Sequence, residues 1–298
     1  MSRAIYDRIT TLIVARLEAG TVPWHQPWNA TTEGELHNLF TGHVYQGINV
    51  LVLGMQPYDR PYWCTFLQAQ AHGGSVRKGE HGTPILKVGG SRRAGEDGEE
   101  HLGRFLKLYT VFNIAQLDGI AAPARPPLEP LAFEPLARCE QLVAAIPAPP
   151  VIRHGAHAAY YQPRPDVLRM PDPERFESAE AYYATLFHEL THSTGHEARL
   201  NRPTLAEAGR FGSTNYSKEE LVAEMGAGFL CGLCGIENRT VDNSAAYLQG
   251  WLRRLRQDQT LLVAAAAQAQ RAANWLTQRR DARGAGQQSA PQEQEESR

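Results

Sequence analysis

An apolar stripe of helical period runs through the first twenty residues of the chain. Charged residues fill the positions between its members, which predicts an amphipathic helix with Ser2 as N-cap and Gly20 as stop. The stripe consists of Ile5, Ile9, Leu12, Ile13 and Leu17. The interleaved charges exclude a signal peptide, and the sequence has no apolar run of about 18 residues that could span a membrane. We therefore expect a cytoplasmic protein with no membrane partner.

Short apolar runs with strand propensity follow this helix, and glycine and proline separate them. The runs are GINVLVLG at 47–54, GTPILKVGG at 82–90 and FLKLYTVFNI at 105–114. Each run predicts a β-strand. The polar, glycine-rich stretch at 89–103 predicts an exposed hairpin loop between the last two strands.

The character of the sequence changes at a proline-rich stretch, and this change predicts two domains. We expect an α+β protein with a small N-terminal domain at 1–122, a linker at 123–135 and a second domain at 136–280. The second domain is predicted to be mostly helical after Ser178. Residues 281–298 contain almost no apolar side chains, so we expect a disordered tail.

Composition narrows the functional classes only slightly. The 298 residues carry a net charge of −2, with 42% hydrophobic and 21% charged residues, so any nucleic-acid surface must be a local patch. Four cysteines are too few for a disulfide framework. Cys231 and Cys234 form a C-x-x-C pair without a second pair to complete a zinc knuckle. We interpret them as small apolar residues on a packed helix.

The segment FHELTHSTGH at 187–196 contains the strongest chemical signal. His188 and His192 are four residues apart on a predicted helix that Ser178 caps, so both imidazoles project from one face. Two such nitrogens can bind one divalent ion at about 2.0–2.1 Å. Glu189 is then placed to act as general base on a water, as in metal-dependent peptide hydrolysis. Zn²⁺ is the favoured ion, and Mn²⁺ or another divalent ion is compatible with these ligands.

A third ligand is expected from the helical stretch at 215–235, where Glu220 and Glu224 share a face. Ser217 and Glu220 match a capping box, which would leave Glu224 as the ligand. The stretch also resembles the third-ligand helix of gluzincin peptidases. That resemblance implies Glu220 as the metal ligand and Glu224 as the support of a ligand histidine. His196 follows His192 too closely for the metzincin spacing and is interpreted as a loop residue.

Aromatic and basic residues are interleaved in the N-terminal part. Exposed aromatic rings can stack on bases while lysine and arginine neutralise phosphates, so the pattern is compatible with single-stranded DNA binding. The alternative is that these rings form the core of a small domain. The candidate residues are Trp24, Trp28, Tyr45, Trp63, Arg77 and Lys78. The glycine-rich stretch at 73–84 lacks the Gly-Lys-Ser/Thr of a nucleotide-binding P-loop.

Several ordered motifs together resemble the ArdC-type antirestriction proteins of conjugative plasmids. They are TGHVYQGINVLVL, RPYWCTFLQAQAHGGSVRKGEHGTPI, YTVFNIAQLDG, FHELTHSTGH and YSKEELVAEMGAGFL. The resemblance implies a domain that binds single-stranded DNA joined to a zincin-like metallopeptidase domain, and protection of incoming DNA from host restriction. A host restriction component is then a possible protein substrate. The alternative function is a protein that coats DNA or occludes a restriction enzyme and does not use its zincin domain catalytically.

Overall fold

The structure, a computed structural model, describes residues 2–20, 22–25, 35–94, 100–124, 135–206, 214–236 and 245–279. Helices and sheets occur side by side, which confirms the predicted α+β class. None of the helices in these ranges combines the length and the apolar character needed to cross a membrane.

The N-terminal part is built on a four-stranded sheet flanked by helices. The sheet has the strand order β1-β2-β5-β4; β1 pairs in parallel with β2, and the other pairs are antiparallel. The elements are α1 Ser2–Glu18, β1 His37–Asn38, α2 Ile48–Gly54, β2 Tyr62–Thr65, α3 Phe66–Ala71, β3 Ser75–Val76, β4 Thr83–Ala94, β5 Glu100–Asn113 and β6 Leu117–Asp118. Strands β3 and β6 form a separate antiparallel pair.

The predicted first helix is present, with Ile9, Ile13 and Leu17 fully or almost fully buried. Leu12, which belongs to the same stripe, is 36% exposed. The predicted strands at 82–90 and 105–114 are confirmed as parts of β4 and β5. They extend much further than expected, because Ala94 still pairs with Glu100. Most of the predicted exposed loop is therefore strand.

The stretch GINVLVLG was predicted as a strand and is helix α2 instead. Gly47 adopts a φ of 60°, a left-handed backbone conformation that glycine tolerates, and the helix starts directly after it. Ile48 and the four residues from Val50 to Leu53 are buried, so apolar side chains are packed around most of the helix. Periodicity cannot separate such a short buried helix from a buried strand.

The second part is mostly helical after Ser178, as predicted, and carries one small sheet. Strands β7, β9 and β8 lie in that order; β7 is parallel and β8 antiparallel to β9. The elements are α4 Pro135–Ala144, β7 Val151–Arg153, β8 Tyr160–Gln162, β9 Val167–Arg169, α5 Ala179–Ser193, α6 Pro203–Ala206, α7 Thr214–Cys234, α8 Ala245–Gln257 and α9 Leu261–Leu276.

Buried side chains of the two parts form one continuous apolar cluster. Helix α1 contacts α8, and α2 contacts α9. Helix α7 is buried along almost its whole length and contacts α4, α5 and α9, so it is the central helix of this cluster. Most of the predicted linker and the whole predicted tail lie outside the described residues.

Candidate functional site

Helix α5 places the HExxH residues on a rigid element. Ser178 caps it, as predicted, by accepting a hydrogen bond from the Ala181 N–H at 3.2 Å. The helix ends at Ser193, just before Gly195. Glu189 and His192 are buried, and the side chain of His188 is only 13% exposed. The three groups therefore sit in a largely dry environment, where electrostatic interactions are strong.

Helix α7 supplies the acidic groups. It begins at Thr214, so Ser217 lies inside the helix and is not its N-cap. The predicted N-cap was wrong because the helix starts one turn earlier than the sequence pattern indicated. Glu220 is consequently not part of a capping box, and its carboxylate points at the two histidines.

Three ligand atoms converge at one point. The Nε2 atoms of His188 and His192 are 3.1 Å apart. One Glu220 oxygen is 3.6 Å from His188 Nε2, and the other is 3.6 Å from His192 Nε2. Ligands about 2.05 Å from a tetrahedral ion are about 3.4 Å from one another. The observed spacing therefore fits one divalent cation, and these are the residues among those described that form such a group.

The outer nitrogen of each histidine faces a carboxylate. Nδ1 of His188 is 3.6 Å from Glu224 Oε1, and Nδ1 of His192 is 3.4 Å from Glu219 Oε1. This arrangement favours the N–H on Nδ1, which leaves both Nε2 lone pairs directed at the same point. Two lone pairs and a carboxylate repel each other unless a proton or a metal cation lies between them. The donor set thus fits a metal ion by its chemistry as well as by its spacing.

Electrostatics around His188 agree with this assignment. Burial works against a charged ring, but the carboxylates of Glu220, Glu224 and Glu189 outweigh burial and raise the pKa of His188 to about 9. These carboxylates create a strongly negative environment that favours a positive charge at the ring.

A buried arginine holds Glu219 in place. The Arg202 guanidinium is 2% exposed and donates to both Glu219 oxygens, at 3.2 Å from Nε and 2.5 Å from Nη2. Nη2 also donates to the Thr191 carbonyl at the end of α5, at 2.8 Å. Thr204 donates to Glu219 Oε2 at 2.5 Å. Desolvation opposes ionisation of Glu219, yet the hydrogen bonds from His192 and Arg202 lower its pKa to about 2.

A glycine brings α5 and α7 close enough for these contacts. A Cβ at Gly226 would lie 2.4 Å from Thr191 Cγ2 and 2.7 Å from Thr191 Oγ1. Any side chain at this position would therefore push the helices apart. Because Glu219 and Glu220 are on the same helix as Gly226, the close approach determines whether their carboxylates reach the histidines.

The predicted DNA-binding tryptophans do not form a stacking surface. Trp24 is 0% and Trp63 1% exposed. Trp24 packs edge-on against Trp251 with ring centroids 6.1 Å apart, and Trp63 against Tyr58 at 5.6 Å. Neighbouring side chains cover their rings, so no base can stack on them in this structure. The alternative core interpretation holds for both residues.

The other predicted DNA-binding residues have different surroundings. Tyr45 is 5% exposed and lines a cavity. Arg77 and Lys78 lie on an exposed turn, where the Arg77 guanidinium pairs with Glu80 at 3.4 Å and lies 3.9 Å from Asp118. Trp28 lies outside the described residues. Of the three described residues, Arg77 and Lys78 share one turn, whereas Tyr45 lines the cavity.

The remaining cysteine and histidine predictions concern packing. Cys231 and Cys234 are buried and unbridged within α7, as their interpretation as packed apolar residues predicts. Burial raises the pKa of the Cys231 thiol well above its usual range. His196 lies in the turn after α5, where its Nδ1 accepts the Ala198 N–H at 3.2 Å.

Comparison with known families accounts for both parts of the molecule. Residues 3–112 match the N-terminal domain of the anti-restriction factor ArdC, and residues 137–268 match a zincin-like metallopeptidase domain. The crystal structure of the antirestriction ArdC protein from plasmid R388, in its metal-free form, is 38% identical and has a TM-score of 0.73. The alignment covers 92% of this chain and 97% of that one. The chain belongs to the ArdC family of antirestriction proteins.

Other relatives agree with this family membership. The Mn(II)-bound structure of R388 ArdC has a TM-score of 0.71 at the same identity and coverage, 92% of this chain and 97% of that one. The uncharacterized protein y4eC of Sinorhizobium fredii is 36% identical, over 94% of this chain and 96% of its own. The DNA primase TraC of Escherichia coli is 35% identical over 91% of this chain, which spans only 27% of TraC.

Sequence reasoning missed two residues that support the site. Glu219 is visible in the sequence as the first member of an acidic pair with Glu220. It was missed because Glu220 and Glu224, four residues apart, share a helix face and Glu219 does not lie on it. Arg202 gave none. It lies ten residues after His192 in an irregular segment, and its role depends on how that segment folds back over α5.

Proposed function

We propose that the protein is an antirestriction factor with two activities, a metal-dependent peptidase and single-stranded DNA binding. The observation that supports the peptidase most directly is the convergence of His188, His192 and Glu220 beside the buried Glu189. Two imidazoles and one carboxylate are a frequent ligand set of catalytic zinc, and they leave a fourth position for water. We assign His188, His192 and Glu220 as ligands and Glu224 as the support of His188.

The metal would act as a Lewis acid toward the scissile carbonyl. Zn²⁺ is our favoured ion. Mn²⁺ is the alternative, since one relative has been crystallised with Mn(II). Glu224 and Glu219 hold the two rings with their Nε2 atoms directed inward, so the ligands need little rearrangement to bind the ion.

Glu189 is the proposed proton carrier. It follows His188 directly on α5, and burial keeps bulk water from competing for its carboxylate. In the proposed reaction its carboxylate takes a proton from the attacking water as the new C–O bond forms. It then passes the proton to the amide nitrogen as the C–N bond breaks, which leaves Glu189 unchanged.

The N-terminal part is proposed to bind single-stranded DNA, as its membership of the ArdC N-terminal family suggests. We retain the predicted boundaries, with DNA binding in 1–122 and the peptidase in 136–280. Because Trp24 and Trp63 are buried, other aromatic groups must stack on the bases. The exposed Arg77 and Lys78 remain candidates for phosphate contacts. A host restriction component is the proposed peptidase substrate.

The decisive experiment compares Glu189→Gln with Glu197→Gln in the metal-loaded full-length protein. Glu197 is exposed and lies beyond the helix, so its replacement controls for the loss of one carboxylate. With fluorescein-labelled casein as probe, we expect Glu189→Gln to reduce hydrolysis by about 10²- to 10⁴-fold, the usual contribution of a general base. Metal content should remain that of the wild type, since Glu189 is not a ligand.

The same variants are then tested in plasmid transfer into a restricting recipient. If hydrolysis causes the protection, Glu189→Gln abolishes it and Glu197→Gln does not. Full protection by Glu189→Gln would instead support the DNA-coating alternative. Absence of hydrolysis by wild type with either Zn²⁺ or Mn²⁺ would overturn the peptidase proposal, and failure to bind an oligodeoxythymidylate at low salt would overturn the DNA-binding proposal.

A further inference from the structure

A cavity of about 600 Å³ lies where the N-terminal sheet meets helix α9. We call it the junction cavity; α2, β4 and β5 form one side, and Val263, Ala267, Gln270 and Arg271 of α9 form the other. This volume is within the range of about 300–1,000 Å³ that is typical of ligand sites in proteins. None of the residues that line the junction cavity belongs to the metal site.

The junction cavity has two basic residues in its lining and no acidic one. Among the twenty described residues that line it are Lys87 and Arg271, and none is aspartate or glutamate. The whole chain has 32 acidic residues and a net charge of −2, so the cavity differs from the average of the protein. A positive concave surface favours an anionic ligand.

The strand register places a second exposed cation next to Lys87. Lys107 on β5 is directly opposite Lys87 on β4. Lys107 does not line the junction cavity, so Lys87 is the lysine that a ligand there would contact.

Aromatic groups lie next to these cations. Tyr109 is 38% exposed, lines the junction cavity, and has Lys87 Nζ 5.7 Å from its ring centroid. Tyr45 lines the cavity more deeply, and His43 packs edge-on against it at 5.8 Å. A stacking ring beside a cation is the combination that binds a base together with its phosphate.

Helix α9 is fixed to the N-terminal part at this place. Gln270 Oε1 accepts the Gly47 N–H at 2.8 Å, and Gln270 Nε2 donates to Asn274 at 3.0 Å. The α9 wall is therefore held against the start of α2. A ligand in the junction cavity contacts both parts of the molecule at once.

We propose that the junction cavity binds one or two nucleotides of single-stranded DNA, with a base on Tyr109 and phosphates at Lys87 and Arg271. This inference rests on the proposed DNA-binding function and adds its location. It assigns part of the DNA contact to α9, a helix of the peptidase half, which the division into domains did not predict.

The test measures binding of a labelled oligodeoxythymidylate to full-length protein by fluorescence anisotropy at several salt concentrations. Lys87→Ala and Arg271→Ala should each weaken binding. Each should also reduce the slope of the logarithm of the binding constant against the logarithm of the salt concentration by about 0.7, the value for one phosphate contact on a single strand. Tyr109→Ala should weaken binding by about 5- to 150-fold, as expected for one lost base stack. Arg164→Ala, an exposed arginine outside the cavity, is the matched control and should bind as the wild type does.

Ala267→Phe gives a second test that changes no charge. Ala267 is on α9, and a phenylalanine there would fill part of the cavity and reduce binding by about tenfold or more, roughly the loss of one stacked base. A thermal unfolding curve like that of the wild type confirms that each variant is folded. Thymidine monophosphate in competition distinguishes a site for DNA from one for free nucleotides, because a DNA site prefers the oligomer.

The failures of this inference and of the DNA-binding proposal are distinguishable. If wild type binds the oligomer and all four cavity variants bind equally well, the junction cavity is not the site and DNA binding stands. Tighter binding of thymidine monophosphate than of the oligomer would also overturn the inference. If wild type does not bind the oligomer, both are overturned.

Discussion

The metal site and the junction cavity are constructed in opposite ways. The metal site takes its chemistry from two helices, and its first three functional residues lie within five positions of α5. The junction cavity takes its lining from segments as far apart as Asn38 and Arg271. The part of the metal site that lies on one helical turn is specified by local spacing, whereas Glu220 and the whole junction cavity come into place only after folding.

The difference also explains which predictions were wrong. Residue types alone indicated a stacking surface that included Trp24 and Trp63, and both are core residues. Lys87 and Tyr109 carry the same chemistry in exposed positions, because β4 and β5 place them next to each other on one face of the sheet. Composition identifies the kinds of residue that the proposed DNA site requires, but it does not show which of them are exposed.

The largest expected effect tests whether the two regions are independent. His188→Ala removes a ligand, so metal affinity should fall by more than the factor of about 10–100 that loss of a ligand's hydrogen-bonding partner causes. Elemental analysis after dialysis should find the variant without metal, while its affinity for single-stranded DNA stays that of the wild type. A parallel loss of DNA binding would show that the metal organises the junction cavity too.

The next largest effect concerns Glu219 and acid stability. Glu219→Gln leaves Arg202 buried without its counter-charge, which typically costs about 3–5 kcal/mol. In wild type the folded pKa of about 2 is below the ordinary 4.5, so the carboxylate stabilises the fold fully above pH 4.5 and progressively less as pH falls towards 2.

Thermal unfolding of the metal-stripped protein between pH 7 and pH 3 measures this contribution. The melting temperature of the wild type should fall as the pH is lowered. Glu219→Gln should have a lower melting temperature at pH 7, and that temperature should depend less on pH in the acid range. Identical profiles would mean that Glu219 is not the group that titrates. Arg202→Met is a companion variant, because it removes the partner charge and should raise the pKa of Glu219.

The smallest expected effect comes from a substitution on α7 that disturbs its packing against α5 but not against α9. Gly226→Ala introduces a Cβ that clashes with Thr191, and overpacking of this kind costs about 1–3 kcal/mol. Metal affinity should fall, since Glu219 and Glu220 move away from the histidines, while DNA binding is retained. Gly250→Ala in α8 is the control: a Cβ there meets nothing within 4 Å, so stability should be unchanged or rise by up to about 1 kcal/mol.

The sequence by itself determined the parts of this protein that depend on neighbours along the chain. The α5 helix with its Ser178 cap, the shared face of His188 and His192, and the strands β4 and β5 all follow from periodicity and local spacing. Only the tertiary structure decided the rest. Residues 48–54 form a buried helix and not the predicted strand. The close approach of α5 and α7 at Gly226 places Glu219 and Glu220 next to the histidines. The junction cavity lies where β4 and β5 pack against α9. These features join residues far apart in the chain, and no local pattern encodes the distance between them.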